Sequence, residues 1–338
     1  MSRLSEAWYR DAAWLQTLRP LAWLYRQVVG ARQRAYAAGR KTRWRSPVPV
    51  IVVGNLTLGG TGKSPLVAWL ARWLAEQGWQ PGIVSRGYGG DAPRYPLYVN
   101  VDSDAAQSGD EPLMLAQQTG LAVVVDPDRP RGARKLIAAG CDIVIADDGL
   151  QHLALGRDIE LVVVDGARGF GNGHCLPAGP LREPLERLRT VDAVIINGAP
   201  TVAGLPTGGY AMTLAPARWR HLTDGVCYPV EQLPFAGRVH ALAGIGHPPR
   251  FFATLAALGV EHDAHPLPDH HRYSAGDLCF ADNRPVVMTA KDAVKCRRFA
   301  NQRCWALDVE ARPEPAFVAW LRDRLETLQP ATCEVTHG

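Results

Sequence analysis

Val50-Ile51-Val52-Val53-Gly54-Asn55-Leu56-Thr57-Leu58-Gly59-Gly60-Thr61-Gly62-Lys63-Ser64-Pro65 is the stretch whose reading decides the fold. Its β-branched run to Val53 reads as a buried strand, and the amphipathic pattern over 66–77 reads as a helix. Between them a glycine-rich loop closes on Gly62-Lys63-Ser64. Strand, glycine loop, Gly-Lys-Ser and helix are the context that a phosphate-binding P-loop requires. Glycines let backbone N–H groups curl around an anion without Cβ interference, and the helix N-terminus adds its positive dipole end. Lys63 then reaches the outer phosphates as a flexible point charge, and the Ser64 hydroxyl serves Mg²⁺. Thr57 stands where the first glycine of the motif usually does. The expected phosphate contacts are Thr57, Gly59, Gly60, Thr61, Gly62, Lys63 and Ser64.

Working outward, strand-like and helix-like segments alternate from residue 48. Strand-like runs lie at 50–53, 82–85, 97–101, 122–125, 142–146, 159–164 and 193–196, and helix-like segments at 66–77, 111–119, 131–139 and 183–189. The β-branched runs are continuous rather than alternating, which indicates strands buried on both faces of a mostly parallel sheet. The expected fold is therefore α/β, with a P-loop NTPase-like domain over 46–205. A Pro/Gly-rich linker at 198–209 leads to a second, smaller α/β domain over 206–338. That domain holds strands at 239–244 and 286–288 and helices at 251–258 and 314–325. The last helix is free, on sequence alone, to pack on either domain.

Residues 1–45 form a separate region. Aromatic and aliphatic residues including Trp14, Trp23 and Leu24 are interleaved with Arg10, Arg19, Arg26, Arg32 and Arg34. The longest apolar run is far below the ~20 residues that span a bilayer. Two readings fit an amphipathic helix, kinked or restarted near Pro20, with aromatics and arginines on opposite sides. One is a helix lying in a membrane interface, and the other is a helix packing its tryptophans on the core.

An apolar content of 47% and a charged content of 21% describe a globular chain. The net charge of +4 is too mild to indicate a nucleic-acid partner. Seven cysteines form no Cys-x-x-Cys pair, so neither a disulfide framework nor a zinc site is indicated and a reducing compartment fits. The N-terminus lacks the apolar core and cleavage site of a signal peptide.

Several short constellations carry chemistry. The run Cys141-Asp142-Ile143-Val144-Ile145-Ala146-Asp147-Asp148-Gly149 is a buried strand ending in paired carboxylates, the form of a Walker B element beside a P-loop. Gly109-Asp110-Glu111-Pro112 reads either as a helix start with Asp110 as N-cap, or as a base and a metal-associated acid facing a transferred phosphate. In Ser85-Arg86-Gly87-Tyr88-Gly89-Gly90, glycines permit close approach of a ligand and Arg86 suits bidentate contact with an anion. Asp269-His270-His271 suits proton relay better than metal binding, because adjacent histidines point apart. Arg182, in a proline-rich loop, is a further candidate anion contact.

Taken together, these residues resemble the tetraacyldisaccharide 4′-kinase family, the lipid A 4′-kinases of Gram-negative bacteria. The resemblance is carried by residues 53–65, 85–89, 109–112, Asp147-Asp148-Gly149-Leu150-Gln151-His152, Leu176-Pro177-Ala178-Gly179-Pro180-Leu181-Arg182-Glu183-Pro184, and Asp269-His270-His271. It implies ATP- and Mg²⁺-dependent transfer of the γ-phosphoryl group to the 4′-hydroxyl of a tetraacylated glucosamine disaccharide 1-phosphate. It places the active site between two α/β domains, on the cytoplasmic face of the inner membrane, with no obligate protein partner evident. Carried over, Lys63 and Ser64 hold phosphates and metal, Asp147 and Asp148 supply the Walker B carboxylates, and Glu111 lies near the metal. Asp110 is the base, paired with His270, while Arg86, Gln151, His152 and Arg182 line the substrate site. The resemblance also favours interfacial docking, with Trp14, Trp23 and Leu24 near the acyl boundary. One departure is Ala290 in Thr289-Ala290-Lys291-Asp292, where the family often carries Glu. Rival classes lose ground on the residues: there is no Asn-Lys-x-Asp for a GTPase and no Cys-x-Cys tract for a metallochaperone. A non-catalytic scaffold has no use for a base dyad, and a soluble sugar kinase has no use for the N-terminal helix.

Overall fold

A computed structural model describes residues 3–269 and 271–328, and among them thirteen strands join in one sheet. In chain order these are β1 (Val50–Gly54), β2 (Pro81–Ser85), β3 (Leu97–Val99), β4 (Ala122–Val125), β5 (Ile143–Asp147), β6 (Ile159–Asp165) and β7 (Ala193–Asn197). There follow β8 (Tyr210–His221), β9 (Cys227–Pro229), β10 (Val239–Ala243), β11 (His262–Pro266), β12 (Val286–Thr289) and β13 (Cys304–Pro313). The helices are α1 (Arg3–Arg10), α2 (Arg19–Ala37), α3 (Lys63–Glu76), α4 (Ala105–Ser108), α5 (Asp110–Thr119), α6 (Arg129–Ala138), α7 (Pro248–Ala257), α8 (Ala290–Cys296) and α9 (Pro315–Glu326). The sheet runs β11-β10-β12-β13-β8-β7-β6-β1-β5-β2-β4-β3, with β9 on β8. Only the β8–β13, β8–β9 and β3–β4 pairs are antiparallel.

The unbroken Val and Ile runs of β1 and β5 are buried at every position because both sheet faces are covered. On one face α3, α5 and α9 share a core in which Leu66, Leu70 and Leu74 recur at helical spacing with no exposure. Each such leucine contributes roughly 1.5–3 kcal/mol by leaving water. On the other face α6 packs with Leu181 and with Tyr25 of α2.

The structure departs from the sequence expectations at the connection between the halves and at one helix, and it bears out the restart near Pro20. The long antiparallel pair β8–β13 bridges the two halves of the chain, and β8 also lies parallel to β7, so the 198–209 connection does not interrupt the sheet. Pro216 obscured β8 in the sequence; it is tolerated because the register shifts beside it, between Asp308 and Val309 on the partner strand. The helix expected at 183–189 is a short 3₁₀ segment, Leu185–Thr190. The N-terminal region is two helices joined by a 3₁₀ turn, Ala13–Leu18, and α2 restarts with Pro20 in its first turn, where the missing N–H costs nothing.

Within that region the two readings divide by residue. Trp8 and Leu15 are buried, and the Trp8 indole donates to the Pro177 carbonyl at 3.0 Å. Trp14, Trp23 and Leu24 are 51%, 64% and 55% exposed, beside exposed Leu21 and Val28. Arg19, Arg26, Arg32 and Arg34 are exposed as well. No helix among the described residues is long and apolar enough to cross a membrane.

Candidate active site

The P-loop bends because Gly62 takes φ +96°, a conformation open to glycine, and because a Cβ there would strike the Asn197 side chain. Asn197, the last residue of β7, donates from Nδ2 to the Thr61 carbonyl at 2.9 Å and so holds the loop in shape. No side chain caps α3, so its first N–H groups stay available to an anion. Gly59, Gly60, Thr61, Gly62, Lys63 and Ser64 all line a cleft of about 800 Å³. Thr57 does not: it is buried where it bridges to Leu181. Its expected phosphate contact gives way to a structural position.

β5 lies parallel to β1 with Asp147 beside Val53, which brings the strand-end carboxylates to the P-loop. The Asp147 Oδ2 accepts from the Ser85 hydroxyl at 3.2 Å, while Oδ1 is buried without a partner. Burial, then the charges of Glu111 and Asp148, push the Asp147 carboxyl well above the usual range, against the pull of Lys63 and Arg129. Asp148 adopts φ +48°, uncommon for a residue with a side chain. Arg182 donates to both its oxygens, at 2.9 and 2.8 Å, and Lys63 Nζ stands 3.7 Å away. Burial works to raise Asp148, but Lys63, Arg182 and Arg129 outweigh it and hold this carboxyl far below the usual range.

The other expected site residues fall into distinct places. Glu111 lines the cleft and meets Lys291 at 3.3 Å, and the same lysine lies 3.6 Å from Asp269. Asp110 opens α5 next to Glu111, but Gly109 occupies the N-cap position that the capping reading gave to Asp110. The Asp110 carboxylate lies 3.6 Å from Lys295. His270 lies outside the described residues. Arg86 and His152 line the cleft, and burial, then Arg129 and Arg86, push the His152 imidazole down to about 4, so it is neutral at physiological pH. Gln151 donates to Glu183 at 2.6 Å, and Tyr25 of α2 donates to the Arg182 carbonyl at 3.0 Å.

Sequence reasoning missed several residues. Arg129, fully buried, donates to the carbonyls of Asp126 and Asp147 at 2.8 and 3.3 Å, with burial pushing it down to about 10. Lys291 and Lys295, one helical turn apart on α8, face the adjacent acids of α5. Asp165 and Asn197 end β6 and β7, and Arg250 reaches both, at 3.9 and 3.4 Å. The signal that could have found this last pair is the rule that places ligands beyond the carboxyl ends of parallel strands. Nothing in the local sequence marked Lys295, and Lys291 stood out only as part of Thr289-Ala290-Lys291-Asp292.

Asn197→Ala is expected to raise the KM for nucleotide about tenfold, the loss of roughly 1–1.5 kcal/mol of hydrogen bonding at the Thr61 carbonyl. Steady-state kinetics at varied ATP checks this, and an unchanged KM would contradict it.

The donor set fits a magnesium ion. Mg²⁺ takes oxygen ligands, keeps several waters and uses few protein carboxylates. The partnerless Oδ1 of Asp147 and the Ser64 hydroxyl meet that need, and among the described residues no cluster of three or more His, Cys, Asp or Glu suits a softer metal. Fully protein-built cages are not what this ion requires.

A glycine cradle on the end of a parallel strand, with a carboxylate pair on the neighbouring strand, defines a P-loop phosphotransferase. The sequence matches the family model for tetraacyldisaccharide-1-P 4′-kinases over residues 14–326, and the chain belongs to that family. It is 50% identical to the tetraacyldisaccharide 4′-kinase of Pseudomonas aeruginosa over 327 residues, covering 96% of this chain and 98% of that one. The enzyme of the same name from Alkalilimnicola ehrlichii is 54% identical over 335 residues, covering 96% of each. The fold also matches the crystal structure of LpxK from Aquifex aeolicus in complex with ATP, with a TM-score of 0.79 and 28% identity over 93% of this chain and 99% of that one.

Proposed function

We propose that this kinase transfers the γ-phosphoryl group of ATP to the 4′-hydroxyl of a tetraacylated disaccharide 1-phosphate, at a membrane surface. The observation that carries the reading is one helix with two roles. Tyr25, Val29, Arg32 and Gln33 of α2 line the nucleotide cleft, while Leu24 and Val28 of the same helix are exposed apolar side chains. An acylated acceptor held in a bilayer can therefore present its sugar to the P-loop without leaving the lipid.

In this reading 46–205 is the nucleotide-binding domain and 206–338 the smaller one. Backbone N–H groups of the P-loop and the Lys63 ammonium hold the β- and γ-phosphates. Ser64 and Asp147 would hold Mg²⁺, with Asp148 and Glu111 nearby, and the ion when bound neutralises phosphate charge. Asp110 takes the proton of the 4′-hydroxyl as its oxygen attacks the γ-phosphorus, and the bond to ADP breaks. The pairing of Asp110 with His270 rests on the family resemblance. Asp110 and Glu111 from the first half meet Lys295 and Lys291 from the second, so closing the halves assembles the acids; this supports a reaction that proceeds only when both are together.

The test is transfer of ³²P from γ-labelled ATP to tetraacyldisaccharide 1-phosphate in detergent micelles. Labelled lipid is expected, and ATP binding with no labelled lipid would sink the proposal. The same reading puts the chain on the cytoplasmic face of the bacterial inner membrane, as a peripheral or monotopic protein held by its N-terminal helix. Trp23→Glu combined with Leu24→Glu is expected to weaken binding to anionic vesicles about tenfold or more, since each buried apolar side chain contributes roughly 1.5–3 kcal/mol. Co-sedimentation measures it; unchanged binding would locate the contact elsewhere.

A further inference from the structure

Asp110 and the loop after β11 come from opposite halves of the chain, and one buried lysine touches both. Helix α8 starts on a tightly bound acid. Asp292, with no exposure, accepts at Oδ2 from the Thr289 hydroxyl at 2.7 Å and from the Gly244 N–H at 3.0 Å. These bonds tie the start of α8 to the chain just past β10. A carboxylate buried this deeply is costly without a cation. Lys295 supplies one a helical turn later, 3.2 Å from Oδ1. An ammonium has three N–H donors, and Asp292 takes up only one direction around it. Lys295 also donates to the His271 carbonyl at 3.3 Å and lies 3.6 Å from the Asp110 carboxylate of α5. The Tyr273 ring closes over the ammonium, 5.2 Å from it. The His271 imidazole turns instead to Asp277, at 3.2 Å, so it is the backbone of the loop that Lys295 grips. Ala290 and Val294 of α8 are buried in the same core as Leu113 of α5.

Neutralising Asp292 explains why a cation is buried here, but not why its other contacts reach across the two halves. Lys295 itself stays out of the cleft: of α8, Ala290 and Lys291 are the described residues that line it. Any effect of Lys295 on the reaction therefore passes through the groups that it holds. We propose that Lys295 is a positioning residue for phosphotransfer, fixing the Asp110 carboxylate against the loop that carries Asp269-His270-His271. The inference rests on the reading of this chain as a kinase with Asp110 as base, and adds to it the residue that holds that base in place. Gly109, at φ +83°, sets the backbone that leads into Asp110, and no side chain caps α5 there. A contact from the second half then fixes the carboxylate itself. Because base and loop meet one point charge, their separation is set by the ammonium. Drift of about 1 Å between reacting groups is enough to cost on the order of 10² in rate.

The experiment measures ³²P transfer to tetraacyldisaccharide 1-phosphate in micelles, first with both substrates saturating and then with ATP varied. Lys295→Met is expected to lower kcat about 100-fold and to leave the KM for ATP unmoved, because neither the P-loop nor the cleft lining is touched. Lys295→Arg keeps the charge and should recover about tenfold of that loss. Lys295→Met also leaves the Asp292 carboxylate buried without its cation, which by itself destabilises the fold. The deciding variant is therefore Asp292→Asn combined with Lys295→Met, which removes both charges. Its melting temperature is expected to return towards that of wild type while kcat stays about 100-fold down. If kcat returned together with stability, Lys295 would be a counter-ion for Asp292 and nothing more, and the proposal would fall. A raised KM for ATP with kcat unchanged would overturn it as well, by placing the lysine on nucleotide binding. Wild-type protein that labels no lipid is a different result, and it overturns the kinase reading together with this one.

Discussion

Lys63→Ala is expected to lower kcat for lipid phosphorylation about 1,000-fold, with the protein still folded. Removing one preorganised charge from a site where negative charge is redistributed costs roughly 10²–10³ in rate, and in the proposed mechanism Lys63 is the cation held to the outer phosphates. The fold should survive because the ligand-free contact of Lys63 is a secondary one. Its ammonium lies 3.7 Å from Asp148, whose carboxylate keeps both hydrogen bonds from Arg182. Lys63→Arg should not restore the rate, since the larger planar head does not fit a cradle shaped around a point charge. Rates measured with saturating ATP, beside a melting curve, decide the matter. Activity within tenfold of wild type would remove Lys63 from the mechanism.

Asp147→Asn should have an equally large effect on rate and an opposite one on stability. The ligand-free protein carries the Asp147 carboxyl raised above its unfolded value by burial and by the nearby Glu111 and Asp148. A carboxyl raised on folding binds its proton more tightly in the folded state, so its contribution to stability falls as pH rises from the unfolded carboxylate range through the folded value. Above neutrality the wild-type protein holds a charge in a buried place with Oδ1 unpartnered. Asparagine removes that charge. The melting temperature of ligand-free Asp147→Asn is therefore expected to exceed that of wild type at pH 8 and to converge with it at pH 5. Phosphotransfer is expected to fall roughly 10²–10³-fold. A variant less stable than wild type at pH 8 would show that the carboxylate is already compensated without a cation.

The contrast between these two residues explains what the sequence could convey. The P-loop was legible because its parts are contiguous: β1, glycines, Lys63 and α3 follow one another, and local backbone physics shapes the loop. The strand-end acids were legible as a pair, but their division of labour was not. Asp148 is held by Arg182, 34 residues away, whereas Asp147 is left half-satisfied in the core. Lys291 and Lys295 escaped notice for the same reason, as their partners are at 111 and 110. Thr57 shows the reverse error. Its spacing matched the motif, yet its pairing with Leu181 takes it out of the cleft. In the fold, parallel strands between helices were readable from their apolar runs, while β8 carried a proline and declared itself only through β13.

The position of α9 has a consequence for synthesis on the ribosome. Phe317, Leu321 and Leu325 are buried in the same core as Leu66 and Leu70, and the Phe317 ring lies 6.0 Å from that of Trp69. The helix behind the P-loop thus has part of its apolar face sealed by almost the last described residues of the chain. A nascent polypeptide that has reached residue 205 carries the P-loop and α3 but not the cover of that helix. Domains generally fold as units during synthesis; here the exposed face of α3 must wait, shielded by other means, until α9 has been made.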